Sequence, residues 1–449
     1  KAATPHLPVF TNISGYIKKL NQFEMTPHMD FAGWDNYPAP GDDVAFPAFK
    51  HEIMRAARDG APFLVTEQSP NQQNWQPYNK IKRPGEIRRI AYQGLAHGAD
   101  SSLFFQMRQS VAGQEKFHGA LIAHSGFHTR IFREGCTLGQ ELKKLGSSFT
   151  GGRIKARVAI VFDWENWWAI ELTSGPTQDM DYLKQVFLYY QAFYTENIPV
   201  DIIKTTTELD NYDLVLLPLL YMMKPGFDGK IREFVKKGGT VAATYMSGRA
   251  DENDRCVFGA YPGPLKDVFG IWVEETDALY PEEKVEMIVS GKEDLQGKKY
   301  EGGFLCDLFH AKTAEVIAVY GKSFLGGKER ECFYTGMPAL TVNRYGAGYA
   351  YYLGCEPDAA FMKDWILQMC REAGIRPLFS FEGKLELTCR ENENGQYVFV
   401  INHGDSEGRV LLDKDGQVGA YRDLLRDKEV LGSFTVASGD VAVLYRKEK

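Results

Sequence analysis

The sequence predicts an α/β chain in three successive parts. Three observations carry that prediction: apolar, strand-like runs separated by helical stretches over residues 1–150, a second strand–helix alternation over 151–376, and short period-two runs with tight-turn residues over 377–449. In the first part, strands are expected at His6–Ile13, Asp30–Tyr37, Pro62–Glu67 and Ser101–Gln109, with helices such as Ala48–Arg58 and Pro84–His97 between them. That order makes four parallel βα units. A helix over Phe127–Leu145 is expected to stop at Gly146, and the Ser/Gly-rich stretch to Gly152 marks a boundary near 148–156.

In the second part, the strands Arg157–Phe162, Asp213–Pro218 and Thr240–Tyr245 alternate with helices. Tyr182–Asn197 carries Leu183, Val186, Phe187, Tyr190 and Phe193 at helical spacing, and Phe227–Lys237 stops at Gly238-Gly239. The alternation predicts a doubly wound, flavodoxin-like sheet that resembles the class I amidotransferase-like fold. That chemistry needs a cysteine at the elbow after the third strand, but the elbow reads Tyr245-Met-Ser-Gly248, and no Gly-x-Ser-x-Gly surrounds Ser247. A structural role is therefore expected. Trp164, Trp167 and Trp168, three indoles in five residues, exceed what a small sheet needs for its own core and are expected at an interface between subunits.

The third part reads as a small antiparallel β-sandwich. Lys384–Cys389 and Gln396–Asn402 flank the turn signal Glu393-Asn-Gly395, and Gly408–Leu412 and Val441–Tyr445 follow, with a turn at Asp413–Gly416. Tyr397, Phe399, Tyr421, Phe434 and Tyr445 are scattered rather than aligned on one face, so a structural role is expected here too.

Composition narrows the function classes. The chain has 449 residues, 44% of them hydrophobic, and a net charge of −7 with both signs interspersed, which argues against nucleic acid or an anionic membrane as partner. Its longest apolar run, Leu214–Met223, is ten residues and is interrupted by Pro218, too short to span a bilayer. Seven cysteines, no two closer than fifteen residues, fit neither a disulfide framework nor a Cys-x-x-Cys metal clip. A cytoplasmic enzyme without cofactor or metal is expected.

The chemistry concentrates at the strand ends of the first part. Pro62-Phe-Leu-Val-Thr-Glu67 is an apolar strand that ends on a carboxylate, the position where parallel βα barrels place catalytic groups. Trp75 lies eight residues on, an apolar ring suited to the C–H face of a sugar. After the next strand, Glu115 and His118 offer an acceptor and a donor for vicinal hydroxyls, and Tyr37, in Asp35-Asn-Tyr-Pro38, is placed to hydrogen-bond a carboxylate.

The strings Trp34-Asp-Asn-Tyr-Pro38, Thr66-Glu-Gln-Ser-Pro70 with Asn74-Trp75, and Phe104-Phe-Gln-Met-Arg-Gln-Ser110 with Glu115-Lys-Phe-His118 resemble the β-galactosidases of glycoside hydrolase family 42. The resemblance continues through Phe162-Asp-Trp-Glu-Asn-Trp-Trp168, Ser247–Asp254, Gly346–Gly354 and Phe399-Val-Ile-Asn-His403, and so covers nearly the whole chain. It implies a retaining β-galactosidase, with Glu67 as nucleophile, Tyr37 as its hydrogen-bonding neighbour, and Trp75, Glu115 and His118 lining the galactose subsite. Met107 departs from the tryptophan usual in the family. The resemblance further implies small galactosides or galacto-oligosaccharides as substrates and a homotrimer built through the middle domain. It also implies an eight-unit (β/α)₈ TIM barrel, of which this chain carries only the last four units. The acid/base glutamate, in an Asn-Glu pair, is then expected outside this chain. The alternative from another class is a non-catalytic galactoside-binding or oligomerisation protein.

Overall fold

Four short parallel strands, β1 (Asn12–Ile13), β2 (Gly33–Asp35), β3 (Phe63–Glu67) and β4 (Ala99–Ser102), form one sheet in that order in the computed structural model. The structure describes residues 3–14, 17–39, 41–291, 295–413 and 418–447. The chain divides into two units, Lys1–Lys155 with Tyr194–Pro199 and Pro377–Lys449, and Ala156–Phe193 with Val200–Arg376.

In the first unit, helices Ala45–Ala56, Glu86–Ala96 and Arg130–Leu145 follow β2, β3 and β4. Alternation decides which side chains meet them. Phe63 and Val65 of β3 are buried with Ile13, Trp34, Met54, Ala57 and Ala99, whereas Leu64 and Thr66 point to the other face. Burying one such phenylalanine contributes about 1.5–3 kcal/mol. The helix Arg130–Leu145 starts where the Thr129 hydroxyl accepts from Phe132 N–H (3.3 Å) and stops at Gly146, whose φ of +57° favours glycine.

Three of the expected strands shorten. Residues 6–11 and 30–32 stay outside the ladder, and β4 ends at Ser102 rather than Gln109. Leu103 and Phe105 still donate to Val65 O and Gln68 O (3.1 Å each), but from there the backbone turns into its own loop: Gln109 N–H donates to Ile122 O (2.9 Å) and Ile122 N–H to Met107 O (2.8 Å). Those groups are then no longer available to a neighbouring strand.

The third part forms two sheets, one of three strands (Ser380–Glu382, Gly408–Leu411, Ser433–Val436) and one of five (Leu385–Asn392, Gly395–Asn402, Val441–Arg446, Ala420–Asp423, Lys428–Leu431). The expected hairpin turn forms, with Asn392 paired to Gly395 at φ +140°. The expected turn at Asp413–Gly416 lies largely outside the described residues. Both faces of the five-stranded sheet are buried. Val398, Val400 and Leu444 face the three-stranded sheet, while Tyr397, Phe399, Ile401 and Val443 pack on Ile87, Tyr92 and Leu95 of the helix Glu86–Ala96 and on Leu138 and Leu145. The segment 377–449 thus shares a core with the helices of the first part.

In the second unit, strands β5 (Val158–Val161), β6 (Val200–Ile203), β7 (Leu214–Leu217) and β8 (Thr240–Thr244) are parallel in the order β6-β5-β7-β8, and Gly348–Leu353 adds parallel to β8. That is flavodoxin-like strand order. The expectation of a wholly doubly wound domain needs correction. Between β8 and Gly348–Leu353 the chain inserts antiparallel strands, among them Glu283–Val289, Lys299–Ala311, Glu315–Leu325 and Pro338–Tyr345, which extend the same sheet. Val285, Met287 and Val289 are buried and alternate with less buried neighbours, the period of two that marks half-buried antiparallel strands.

The tryptophan cluster also needs correction. Trp164 and Trp167, on the helix Trp164–Leu172, are 1% and 5% exposed. Phe162 lies 4.9 Å and 5.7 Å from their rings, and Trp167 Nε1 donates to Glu171 Oε1 (2.7 Å). They are core of their own unit, because the helix that follows β5 folds them back over Phe162. Trp168 alone is partly exposed. The elbow after β8 places Met246 at φ +63°, so a thioether occupies the turn where a nucleophile would sit.

Candidate active site

β3 delivers Glu67 to the carboxyl end of the sheet, and the segment after β2 delivers Tyr37 beside it. The link is the pairing of Asp35 with Glu67, together with Asn36 N–H donating to Glu67 O (2.8 Å). Tyr37 Oη then donates to Glu67 Oε2 at 2.7 Å. Burial, then the bond to Glu67 and the charges of Glu67, Asp35 and Glu115, push the phenol well above its ordinary pKa, so it stays a neutral donor.

The Tyr37 ring is the hub of an aromatic corner. Trp75 meets it edge to face at 4.9 Å and His118 at 5.9 Å, and Trp75 and His118 lie 5.2 Å apart. Trp75 is 53% exposed and His118 fully buried. His118 Nε2 donates to the Phe105 carbonyl (3.2 Å), and its Nδ1 lies 3.3 Å from Asn74 Oδ1. Burial lowers its pKa, which favours the neutral ring. Glu115 is exposed on the short turn Gln114–Phe117, and its charge is felt at both Tyr37 and His118. All five expected site residues therefore gather at one end of the sheet.

Other residues of the site were not picked out from the sequence. Asp35 Oδ2 accepts from Asn12 Nδ2 (2.9 Å) and Oδ1 from Thr66 Oγ1 (3.0 Å), and burial raises its pKa. Asn36 is fully buried, and among the described residues its amide has no hydrogen-bond partner. Each was visible only as part of a motif string. Two loops carry the aromatic corner and are knit together: Gln72 Nε2 donates to Phe117 O (3.0 Å), Asn74 Nδ2 to Gln114 O (2.9 Å) and Gly119 N–H to Gln72 O (2.8 Å). Gly119 is required there, since a Cβ would stand 2.7 Å from Asn71 Cβ and 2.8 Å from Gln72 N. Among the described residues no group of three or more His, Cys, Asp or Glu is arranged to hold a metal ion, and no helix is long and apolar enough to cross a membrane.

A strand-end carboxylate bonded by a neutral phenol donor, beside a half-exposed indole, suits attack on a sugar carbon. Three family models match the chain in succession: β-galactosidase over residues 1–145, β-galactosidase trimerisation domain over 156–376, and β-galactosidase C-terminal domain over 384–446. The chain belongs to glycoside hydrolase family 42. This family 42 chain is 43% identical over 439 residues to the β-galactosidase BgaA of Planococcus sp. (strain 'SOS Orange'), covering 98% of itself and 63% of that protein. Against the β-galactosidase BgaB of Geobacillus sp. (strain Y412MC61), identity is 40% with 99% and 64% covered. Among solved structures, the β-galactosidase from Bacillus circulans sp. alkalophilus superposes with a TM-score of 0.93 at 42% identity, covering 98% of this chain and 64% of that one. The chain thus spans just under two thirds of the length of these relatives, and the family resemblance expected from its motifs holds.

Proposed function

We propose that this chain carries the nucleophile half of a retaining β-galactosidase that hydrolyses terminal β-D-galactosides of small, soluble substrates. The observation that carries the reading is the 2.7 Å bond from Tyr37 Oη to Glu67 Oε2, set against the exposed ring of Trp75. Glu67 attacks the anomeric carbon, the aglycone oxygen leaves with a proton from a second carboxyl, and water then releases galactose with retained configuration. That second carboxyl, about 5–5.5 Å from Glu67, is contributed from outside these residues. Tyr37 holds the attacking oxygen in place, and Trp75 stacks on the sugar. Glu115 and His118 bind hydroxyls: with Nε2–H engaged by Phe105, Nδ1 faces an amide oxygen where a sugar hydroxyl would supply the missing donor.

The order β1-β2-β3-β4, all parallel with helices between, supports these strands as the last four of an eight-stranded barrel within a domain over 1–150, followed by a trimerisation domain (151–376) and a small β domain (377–449). The relatives' trimerisation-domain model supports a homotrimer, and seven free cysteines suit a cytoplasmic protein.

Glu67→Gly in the full-length protein tests the reading. Turnover of an aryl galactoside is expected to fall by more than about a thousandfold. Added azide is expected to restore aglycone release with formation of α-galactosyl azide, the product of attack from the vacated face. Retained activity, or a β-configured azide product, contradicts the assignment.

A further inference from the structure

Lys82 lies just beyond the loop that carries Trp75, in the run Lys80-Ile-Lys82-Arg83. It is 1% exposed. Its Nζ donates to the carbonyl of Asn71 (2.9 Å), and its own N–H donates to Asn71 Oδ1 (3.1 Å). Among the described residues no carboxylate pairs with the ammonium. Burial lowers its pKa to about 8, with the charge of Glu86 opposing.

A buried cation held only by a carbonyl is a poor stabiliser, since replacing buried charge with an apolar side chain is often neutral or favourable. Its partner points to another role. Asn71 opens the loop: Ser69 Oγ also donates to Asn71 O (3.0 Å), and Asn71 Cβ abuts Gly119, next to His118. On the other side, the Lys82 carbonyl accepts from Arg130 Nη2 (2.8 Å), and Arg130 Nη1 pairs with Glu134 (2.7 Å) on the helix Arg130–Leu145. A continuous chain of bonds thus runs from that rigid helix through Lys82 to the base of the loop bearing Asn74 and Trp75.

We infer that Lys82 is a positioning residue for the sugar subsite, anchoring the Trp75 loop to the helix Arg130–Leu145 through the Asn71 carbonyl. The inference rests on the galactosidase reading above. It assigns Lys82 no contact with substrate, only control of where Trp75 and Asn74 stand.

The test compares full-length wild type, Lys82→Met and Lys82→Ala for hydrolysis of an aryl β-galactoside, quenching of tryptophan fluorescence by galactose, and thermal unfolding. Losing a charge-assisted bond is expected to raise KM and weaken galactose quenching about tenfold in Lys82→Met, with kcat within about threefold and unfolding temperature unchanged or raised. Propylammonium, which fits the space vacated in Lys82→Ala and returns the donor, is expected to bring KM of that variant back toward wild type. A Lys82→Met protein with wild-type KM and quenching overturns the inference. So does a loss confined to unfolding temperature and active fraction, the signature of a purely structural lysine. A wild-type protein that neither hydrolyses the galactoside nor responds to galactose instead overturns the galactosidase reading.

Discussion

Glu67 and Tyr37 came together because one ends β3 and the other follows β2, and paired neighbouring strands bring their ends side by side. Tyr37→Phe removes the hydroxyl bonded to Glu67 Oε2 while keeping the ring that packs on Trp75 and His118. It is expected to lower kcat/KM on the order of 10- to 100-fold, the loss of a hydrogen bond to a charged group, with little change in thermal unfolding. Steady-state kinetics beside a melting curve check it. Unchanged kinetics would remove Tyr37 from the mechanism. Glu67, Tyr37 and Trp75 were legible in the sequence because each has a side chain whose chemistry stands out at a strand end. Asp35, Asn12 and Thr66 were not, because their bonds cross between strands. Lys82, in a run of charges, reads as solvent-facing until its burial is seen.

At the scale of elements, the sequence resolved what local pattern controls. β3 and the helices Glu86–Ala96 and Arg130–Leu145 stand within a few residues of their expected bounds, since an apolar run defines β3 and an apolar stripe with a following glycine, Gly98 or Gly146, defines each helix. β1, β2 and β4 are shorter than their apolar runs suggest; past β4 the cause is visible, since Met107 and Gln109 pair with Ile122 inside the following loop. The antiparallel insertion went unread although Val285, Met287 and Val289 alternate plainly, because the surrounding strand–helix rhythm suggested one uniform sheet. The contact between the loops after β3 and β4 has its own prediction. Gly119→Ala forces a methyl against Asn71 Cβ and Gln72 N, so the loops must part. Activity is expected to drop at least about tenfold and stability by about 1–3 kcal/mol, the usual cost of overpacking. Kinetics and denaturant unfolding measure both, and a fully active Gly119→Ala would show that the loops need not touch.

Across the first unit, one buried ionic cluster joins the βα part to the β-sandwich. Glu386 accepts from His97 Nε2 (2.8 Å), His403 Nε2 (2.7 Å), Gln93 Nε2 (2.8 Å) and Tyr194 Oη (2.6 Å), while His97 Nδ1 meets Glu52 (2.6 Å). Burial acts against both charges, but the bonds to Glu386 and Glu52 win and raise His97 to about 9, and the two imidazoles hold Glu386 well below its ordinary 4.5. The two shifts describe the same bonds from either end. A raised histidine contributes stability fully below its unfolded pKa of 6.5 and loses it as pH climbs through about 9; a depressed glutamate contributes above 4.5 and loses it as pH falls further. Thermal stability is therefore expected to be greatest between about pH 4.5 and 6.5 as far as this cluster decides it, and to decline toward pH 9. Glu386→Gln, which leaves His97 and His403 without their shared carboxylate, is expected to cost about 3–5 kcal/mol and flatten that decline. An unfolding temperature that is level from pH 6 to 9 in the parent protein would contradict the assignment.

The central claim is that Glu67 forms the covalent bond to the sugar. Its most direct test is inactivation of the full-length protein by a 2-deoxy-2-fluoro-β-galactoside bearing a good leaving group, followed by peptide mass spectrometry. One fluorogalactosyl group per subunit, attached at Glu67 in the peptide containing Thr66-Glu-Gln-Ser-Pro70, is the predicted result. A label on any other carboxylate, or turnover that leaves no label while the protein still hydrolyses galactosides, would contradict it.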